Sequence, residues 1–266
     1  MNVDAARCWS GLQAIRRETP LVQNITNFVS MDITANALLA LGASPAMVHA
    51  VEEVTEFSSA ANALVINIGT LSPAWVTSMT EAVAAMSTKA KPWVLDPVGV
   101  GATTYRTSVA RELLARRPTV VRANASEVLA LAGATLERSK GVDSVHDSSE
   151  AIDAANALSK ASGTVVAVTG AVDYVTDGER GIHISNGDPM MTKVTALGCA
   201  SSAVVAAFLA VEDDPLASAA EALAVYGLAG ERAAREAEGP GSLRWRLLDE
   251  LAGMDETTLL EGVKIQ

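Results

Sequence analysis

The sequence predicts an α/β fold with a mostly parallel, doubly wound sheet, and three observations carry that expectation. Short runs rich in Val, Ile and Leu recur along the chain, and each stops at Gly, Asn, Asp or Pro, as strands buried on both faces do. Stretches with helical periodicity lie between them, and this alternation produces parallel sheets flanked by helices. Hydrophobic residues make up 49% of the 266 positions but aromatic ones only 4%. The core must therefore be built from Ala, Val and Leu, as in Ala-rich helices covering a sheet.

Taken in order, the strand-like runs are residues 21–25, 63–68, 93–98, 119–122 and 164–169. The helical stretches between them are residues 29–41, 73–86, 108–115, 125–132 and 149–160. Pro73 directly after Ser72 suits a first helical position behind a serine cap. Residues 173–187 carry Asp177-Gly178 between two strand-like pieces and read as an antiparallel hairpin. Residues 199–211, 216–237 and 242–251 then read as helices. No linker, repeat or low-complexity segment interrupts residues 1–266, so one domain is expected.

The net charge of −11, without a basic run, argues against nucleic acid, which needs clustered Lys and Arg. It leaves room for a small anion, because backbone amides hold phosphate even on an acidic protein. Cys8 and Cys199 are the two cysteines. They do not read as a secreted disulfide framework, so a reducing cytoplasm is expected. Residues 1–18 lack the apolar block of a signal peptide, and no apolar run reaches membrane-spanning length.

Open parallel sheets bind ligands beyond the carboxyl ends of their strands. Asn24 and Asn27, Asn67 and Gly69, Asp96, Arg122 and Asn124, and Thr169-Gly170 all fall there. Any one of these is explained by strand termination alone; their convergence points to a site. At Thr195-Ala196-Leu197-Gly198-Cys199 a turn enters a helix of small residues, whose unpaired amides would favour negative charge. The same pattern also describes the start of a tightly packed core helix. A helix N-terminus lowers a thiol pKa, which makes Cys199 a candidate base; a small buried thiol is the plainer reading.

Asp96 at a strand end can orient Mg²⁺, usually through waters. Glu127, in the first turn after Arg122-Ala123-Asn124, either compensates a helix dipole or joins that metal site. Arg122 can bridge phosphates through its planar fork. Gly99-Val100-Gly101-Ala102-Thr103-Thr104 only partly matches a dinucleotide fingerprint, because its sixth residue is Thr104. The absence of any Gly-Lys pair excludes a P-loop. His49, His146 and His183 have no metal-ligand spacing.

These segments together resemble the hydroxyethylthiazole kinase family, from about Pro20 to about Ala233. The resemblance rests on residues 20–27 (PLVQNITN), 40–47 (ALGASPAM), 95–99 (LDPVG), 122–127 (RANASE) and 195–199 (TALGC), in that order. It implies a ribokinase-like three-layer α/β/α fold and ATP-dependent phosphorylation of the hydroxyethyl group of 4-methyl-5-(2-hydroxyethyl)thiazole. By the resemblance, Met47 and Asn27 would contact the thiazole and Ala196 would lie near its hydroxyethyl arm. Arg122, Thr169 and Asn124 would serve ATP, Asp96 and Glu127 would position Mg²⁺, the amides of Ala196 to Cys199 would hold the transferring group, and Gly198 and Cys199 would be the catalytic residues. The family is similar, too, in forming homotrimers with sites between subunits.

Two residues depart from the family pattern, Ala196 and Ala123 standing where glycine is usual. A positive φ at either would strain alanine by about 1 kcal/mol or more. Three rival readings stand beside the thiazole kinase. They are a kinase for a pyrimidine or pyridoxal-type alcohol, an oxidoreductase using residues 99–104, and a nucleotide-binding homologue with weak catalysis.

Overall fold

The computed structural model describes residues 3–135 and 148–266. Its strands are β1 (Leu21–Ile25), β2 (Ser44–Ala46), β3 (Ala63–Asn67), β4 (Trp93–Asp96), β5 (Val120–Asn124), β6 (Val165–Thr169), β7 (Asp173–Thr176) and β8 (Gly181–Ile184). They form one eight-stranded sheet in the order β2-β1-β3-β4-β5-β6-β7-β8. Pairing is parallel from β2 through β6 and antiparallel where β7 and β8 close the far edge.

The helices are α1 (Ala5–Glu18), α2 (Met31–Leu41), α3 (Val54–Ala60), α4 (Pro73–Thr88), α5 (Thr104–Leu114), α6 (Ala125–Thr135), α7 (Ser148–Ser162), α8 (Leu197–Leu209), α9 (Pro215–Glu236), α10 (Pro240–Gly253) and α11 (Glu256–Gly262). A 3₁₀ turn at Pro189–Lys193 precedes α8. One buried cluster joins the sheet to α1, α2 and α8–α11 through Leu12, Leu38, Phe208, Val225, Leu247 and Leu259. The other joins it to α3–α7 through Val54, Met79, Val109, Leu131 and Leu158. Among the described residues no helix is long and apolar enough to cross a membrane.

Strand alternation places the polar strand ends. Val65, Val94, Val120 and Ala167 face the α8 layer, while Ile66, Leu95, Val121 and Val168 face the other. Side chains repeat every second residue, so Asn67, Asp96, Arg122 and Thr169 continue the row on the α8 side. The chain leaves β1 toward β2 and then crosses back to β3. The connections after β1 and β3 thus diverge, which opens a crevice at the carboxyl ends of these strands.

The five expected strands and the hairpin all form. Besides the 3₁₀ turn at Pro189–Lys193, four elements lie outside the expected set. α1 is amphipathic but charged at its end, β2 is a three-residue edge strand containing Pro45, and α3 and α11 are each only seven residues long. Proline is tolerated at a sheet edge because it need not donate to a ladder. α5 starts at Thr104, four residues before its expected start, because Thr103 caps it by accepting from the Arg106 N–H at 3.2 Å. Ser72 caps α4 as expected, accepting from Trp75 N–H at 3.3 Å.

One buried ion pair in the α1–α9 contact has a pH consequence. Glu221 is fully buried and accepts from Arg7 Nε at 2.8 Å. Burial pushes its carboxyl up to about 7; the Arg7 contact opposes the rise and Glu212 and Asp214 add to it. A carboxyl raised in the folded state contributes stability that is full below its ordinary value of 4.5 and is lost as pH rises through about 7. Glu221→Gln should flatten this fall, so that its stability relative to wild type improves by about 1–3 kcal/mol on going from acid to mildly alkaline pH. Denaturant titrations across that range check it; parallel profiles for the two proteins would contradict it.

Candidate functional site

The site begins with sheet register. β3 and β4 pair Asn67 with Asp96, and Asn67 Nδ2 donates to Asp96 Oδ2 at 2.7 Å. Asn67 Oδ1 accepts from Asn27 Nδ2 and from the Gly69 N–H, both at 2.9 Å. Asn27 Nδ2 also reaches Cys199 Sγ at 3.3 Å. Gly69 permits the turn, since a Cβ there would stand 2.8 Å from the Asn27 side chain. Arg106 fastens the two loops above, donating to the carbonyls of Ile68, Val98 and Gly69.

α8 enters this row from above. Ala196, its N-cap, has φ of 67° and offers no side-chain cap, so the leading amides of Leu197, Gly198 and Cys199 have no intrahelical acceptor. A Cβ on Gly198 would lie 2.9 Å from Arg122 Nη1; glycine here lets the guanidinium abut the helix start. Arg122 Nη2 donates to Thr169 Oγ1 at 2.6 Å, and Nη1 lies 4.0 Å from Asp96 Oδ1. Arg122 Nε and Asp96 Oδ1 are buried without partners. Tyr226 of α9 anchors the helix start, its hydroxyl donating to the Leu197 carbonyl at 3.0 Å.

The electrostatics follow from burial. Asp96 is fully enclosed, and desolvation pushes its carboxyl up to about 6 against the pull of Arg122 and the donors Ser202 and Asn67. The Cys199 thiol is also pushed up, by desolvation first and then by Asp96. This runs against the expectation that the helix start would lower it: the loss of water and the carboxylate outweigh the Asn27, Asn67 and Arg122 contacts that pull the other way. Asp173 is pushed up to about 6 by burial, although the Gly170 N–H donates to it at 2.9 Å.

Glu127 uses one oxygen for the Gly99 N–H at 2.9 Å and the other for the Asn124 N–H at 3.0 Å. Asn124 Oδ1 accepts in return from Glu127 N–H at 2.9 Å, so the pair caps α6. The Gly99 amide that a dinucleotide reading would aim at pyrophosphate is therefore occupied. Asp96 Oδ1 remains as a buried anionic oxygen without a donor, and Glu127 adds nearby negative charge. That donor set fits a hard cation held mainly by phosphate and water, as Mg²⁺ is. Among the described residues no cluster of three or more His, Cys, Asp or Glu could hold a metal by itself.

The structure thus brings Asn27, Asp96, Arg122, Thr169, Gly198 and Cys199 into one connected site. Ala196 adjoins it, Asn124 and Glu127 flank it, and Met47 follows β2 at the carboxyl end of the sheet. Ala123 lies buried within β5 and is not among the positive-φ residues, so only Ala196 meets the strain condition. Sequence reasoning overlooked Ser202, Tyr226 and Arg106. Ser202 was findable, for it lies one helical turn beyond Gly198 and Cys199 and so shares their face. His49 and His183 pack against Trp75 and Tyr174, and His146 lies outside the described residues.

A family model described as the hydroxyethylthiazole kinase family matches residues 12–257. A hydroxyethylthiazole kinase of Cereibacter sphaeroides is 52% identical over 97% of this chain and 98% of its own. One from Arabidopsis thaliana is 48% identical over 97% and 94%. The solved hydroxyethylthiazole kinase of Pyrococcus horikoshii superposes with a TM-score of 0.92 at 42% identity, over 98% of both chains. A Bacillus subtilis pyridoxal kinase solved with ADP reaches 0.60 at 18% identity, over 80% of this chain and 92% of that one. The last likeness bears on the fold alone, which is ribokinase-like.

Ala196 gives a direct test of the helix start. Left-handed backbone costs alanine roughly 1–2 kcal/mol, part of which glycine gives back through its freer unfolded chain. Ala196→Gly should therefore stabilise the protein by about 0.5–1 kcal/mol, seen as a higher Tm. A lower Tm would show that Ala196 is not strained.

Proposed function

The chain belongs to the hydroxyethylthiazole kinase family, and we propose that it transfers the γ-phosphoryl group of ATP to the hydroxyethyl oxygen of that thiazole in thiamine biosynthesis. The reading is carried by one observation: the Arg122 guanidinium lies against Gly198, at the helix start whose leading amides have no side-chain cap. Both are electropositive, and together they fit the dispersed charge of a phosphoryl group in transfer. Such transfer relies on positioning and fixed charge more than on covalent chemistry.

In this reading Arg122 and Thr169 hold ATP phosphates, with Asn124 at the edge of the nucleotide site. The amides of Gly198 and Cys199 hold the transferring group. Asn27 and Met47 receive the thiazole, and the Ala196 methyl borders its hydroxyethyl arm. The acceptor oxygen forms a bond to phosphorus as the bond to the β-phosphate oxygen breaks, and ADP leaves. Asp96 and Glu127 would hold Mg²⁺, which supplies charge neutralisation to the phosphates. With its pKa raised, Cys199 is a poor base at neutral pH; it positions the acceptor, whose proton leaves late in a loose transition state.

Residues 1–266 act as a single kinase domain, in the cytoplasm and without nucleic acid or membrane as partner. Phe28, Val29 and Val51 expose apolar surface in the loops after β1 and β2, beside Asn27 and Met47. In this reading the chain forms a homotrimer in which a neighbouring subunit completes each site and covers these exposed side chains.

Purified protein given ATP, Mg²⁺ and the thiazole should release ADP and yield a thiazole heavier by one phosphoryl group. Turnover of a pyridoxal-type or pyrimidine alcohol without thiazole turnover would overturn the substrate assignment. No turnover with any of these alcohols would favour the weakly catalytic homologue. Gly198→Ala must displace the guanidinium, and should raise KM for ATP about tenfold or more in a protein that stays folded. Cys199→Ala should lower kcat while ATP still binds; loss of ATP binding would contradict the role given to the thiol.

A further inference from the structure

Among the described residues, both hydrogen-bond donors to the Asp96 carboxylate converge on the same oxygen. Asn67 Nδ2 donates to Oδ2 at 2.7 Å from the neighbouring strand, and Ser202 Oγ donates to Oδ2 at 2.9 Å from α8. Oδ1 receives nothing, although it is buried, and it lies 4.0 Å from Arg122 Nη1. An unpartnered carboxylate oxygen in the interior is costly unless something charged meets it.

The asymmetry is enforced from behind. Asn67 cannot turn its amide over, because its Oδ1 already accepts from Asn27 Nδ2 and the Gly69 N–H; a flip would set donor against donor. Ser202 is itself held, on the same face of α8 as the anion-hole residues Gly198 and Cys199. Carboxylate, amide and hydroxyl therefore form a fixed set, built from β3, β4 and α8, with one oxygen saturated and one presented.

We propose that Asn67 and Ser202 are positioning residues for phosphoryl transfer, which saturate Asp96 Oδ2 so that Oδ1 faces the phosphate-bound cation beside Arg122. The inference rests on the assignment of Asp96 to Mg²⁺. It makes metal coupling, and not nucleotide binding as such, the property these two side chains control. Asn67 adds a second link, since through Asn27 it ties the same carboxylate to the Cys199 thiol.

Calorimetric titration of ADP, with and without Mg²⁺ and at a pH where Asp96 is ionised, separates the two properties. Wild type should bind ADP more tightly with Mg²⁺. In Ser202→Ala, ADP alone should bind as in wild type, while the gain from Mg²⁺ should shrink by about tenfold, the usual weight of a hydrogen bond to a charged group. Asn67→Asp, which sets an acceptor against Oδ2, should reduce the gain further, with melting curves confirming that both variants are folded. An undiminished gain in Ser202→Ala would overturn the inference alone, as would an equal loss with and without metal. No gain in the wild type would overturn the metal assignment and the inference with it.

Discussion

A guanidinium pressed against the start of a helix is the interaction on which the rest of this site depends. Arg122 and the amides of α8 carry charge of the same sign, and only the absence of a side chain at Gly198 lets them meet. Asp96 beside them leaves its nearer oxygen at 4.0 Å, too long for a strong ion pair. An arrangement of this kind is unfavourable when empty and favourable around an anion. Small residues make it possible: Ala200, Ala203 and Ala207 are fully buried, so α8 approaches the sheet closely enough to share hydrogen bonds with its strand ends.

Much of this was legible because it follows from period. Apolar runs ending near Asn67, Asp96, Arg122 and Thr169 put these residues at neighbouring strand ends, whereas the face they share became visible only from the two packed layers. The turn at residues 195–199 gained its reading as a phosphate cradle only when set beside them. The expected strands were legible for the same reason, being continuous apolar runs. β2 was not, since three residues containing Pro45 carry no periodic signal, and α3 was too short to show two turns of one.

Other features were hidden because they depend on contacts distant in sequence. Nothing near Tyr226 indicates that its hydroxyl reaches Leu197, or that Arg106 gathers three carbonyls from two other loops. The thiol of Cys199 shows the same limit from the other side. Its local setting, a helix start, predicts a lowered pKa, whereas the buried Asp96 contributed by β4 helps drive it up. Likewise Ala123 and Ala196 both stand where the resemblance implies glycine. One sits in an extended strand and the other at a φ of 67°, so only the second bears on the shape of the site.

The central claim is that Arg122 and the start of α8 together cradle the phosphoryl group in transfer. A crystal structure with a non-hydrolysable ATP analogue and the thiazole alcohol tests it most directly. The account predicts a terminal phosphate within hydrogen-bond reach of the Gly198 and Cys199 amides and of Arg122, with the hydroxyethyl oxygen facing it. A terminal phosphate bound elsewhere, with the α8 amides still unpaired, would contradict it.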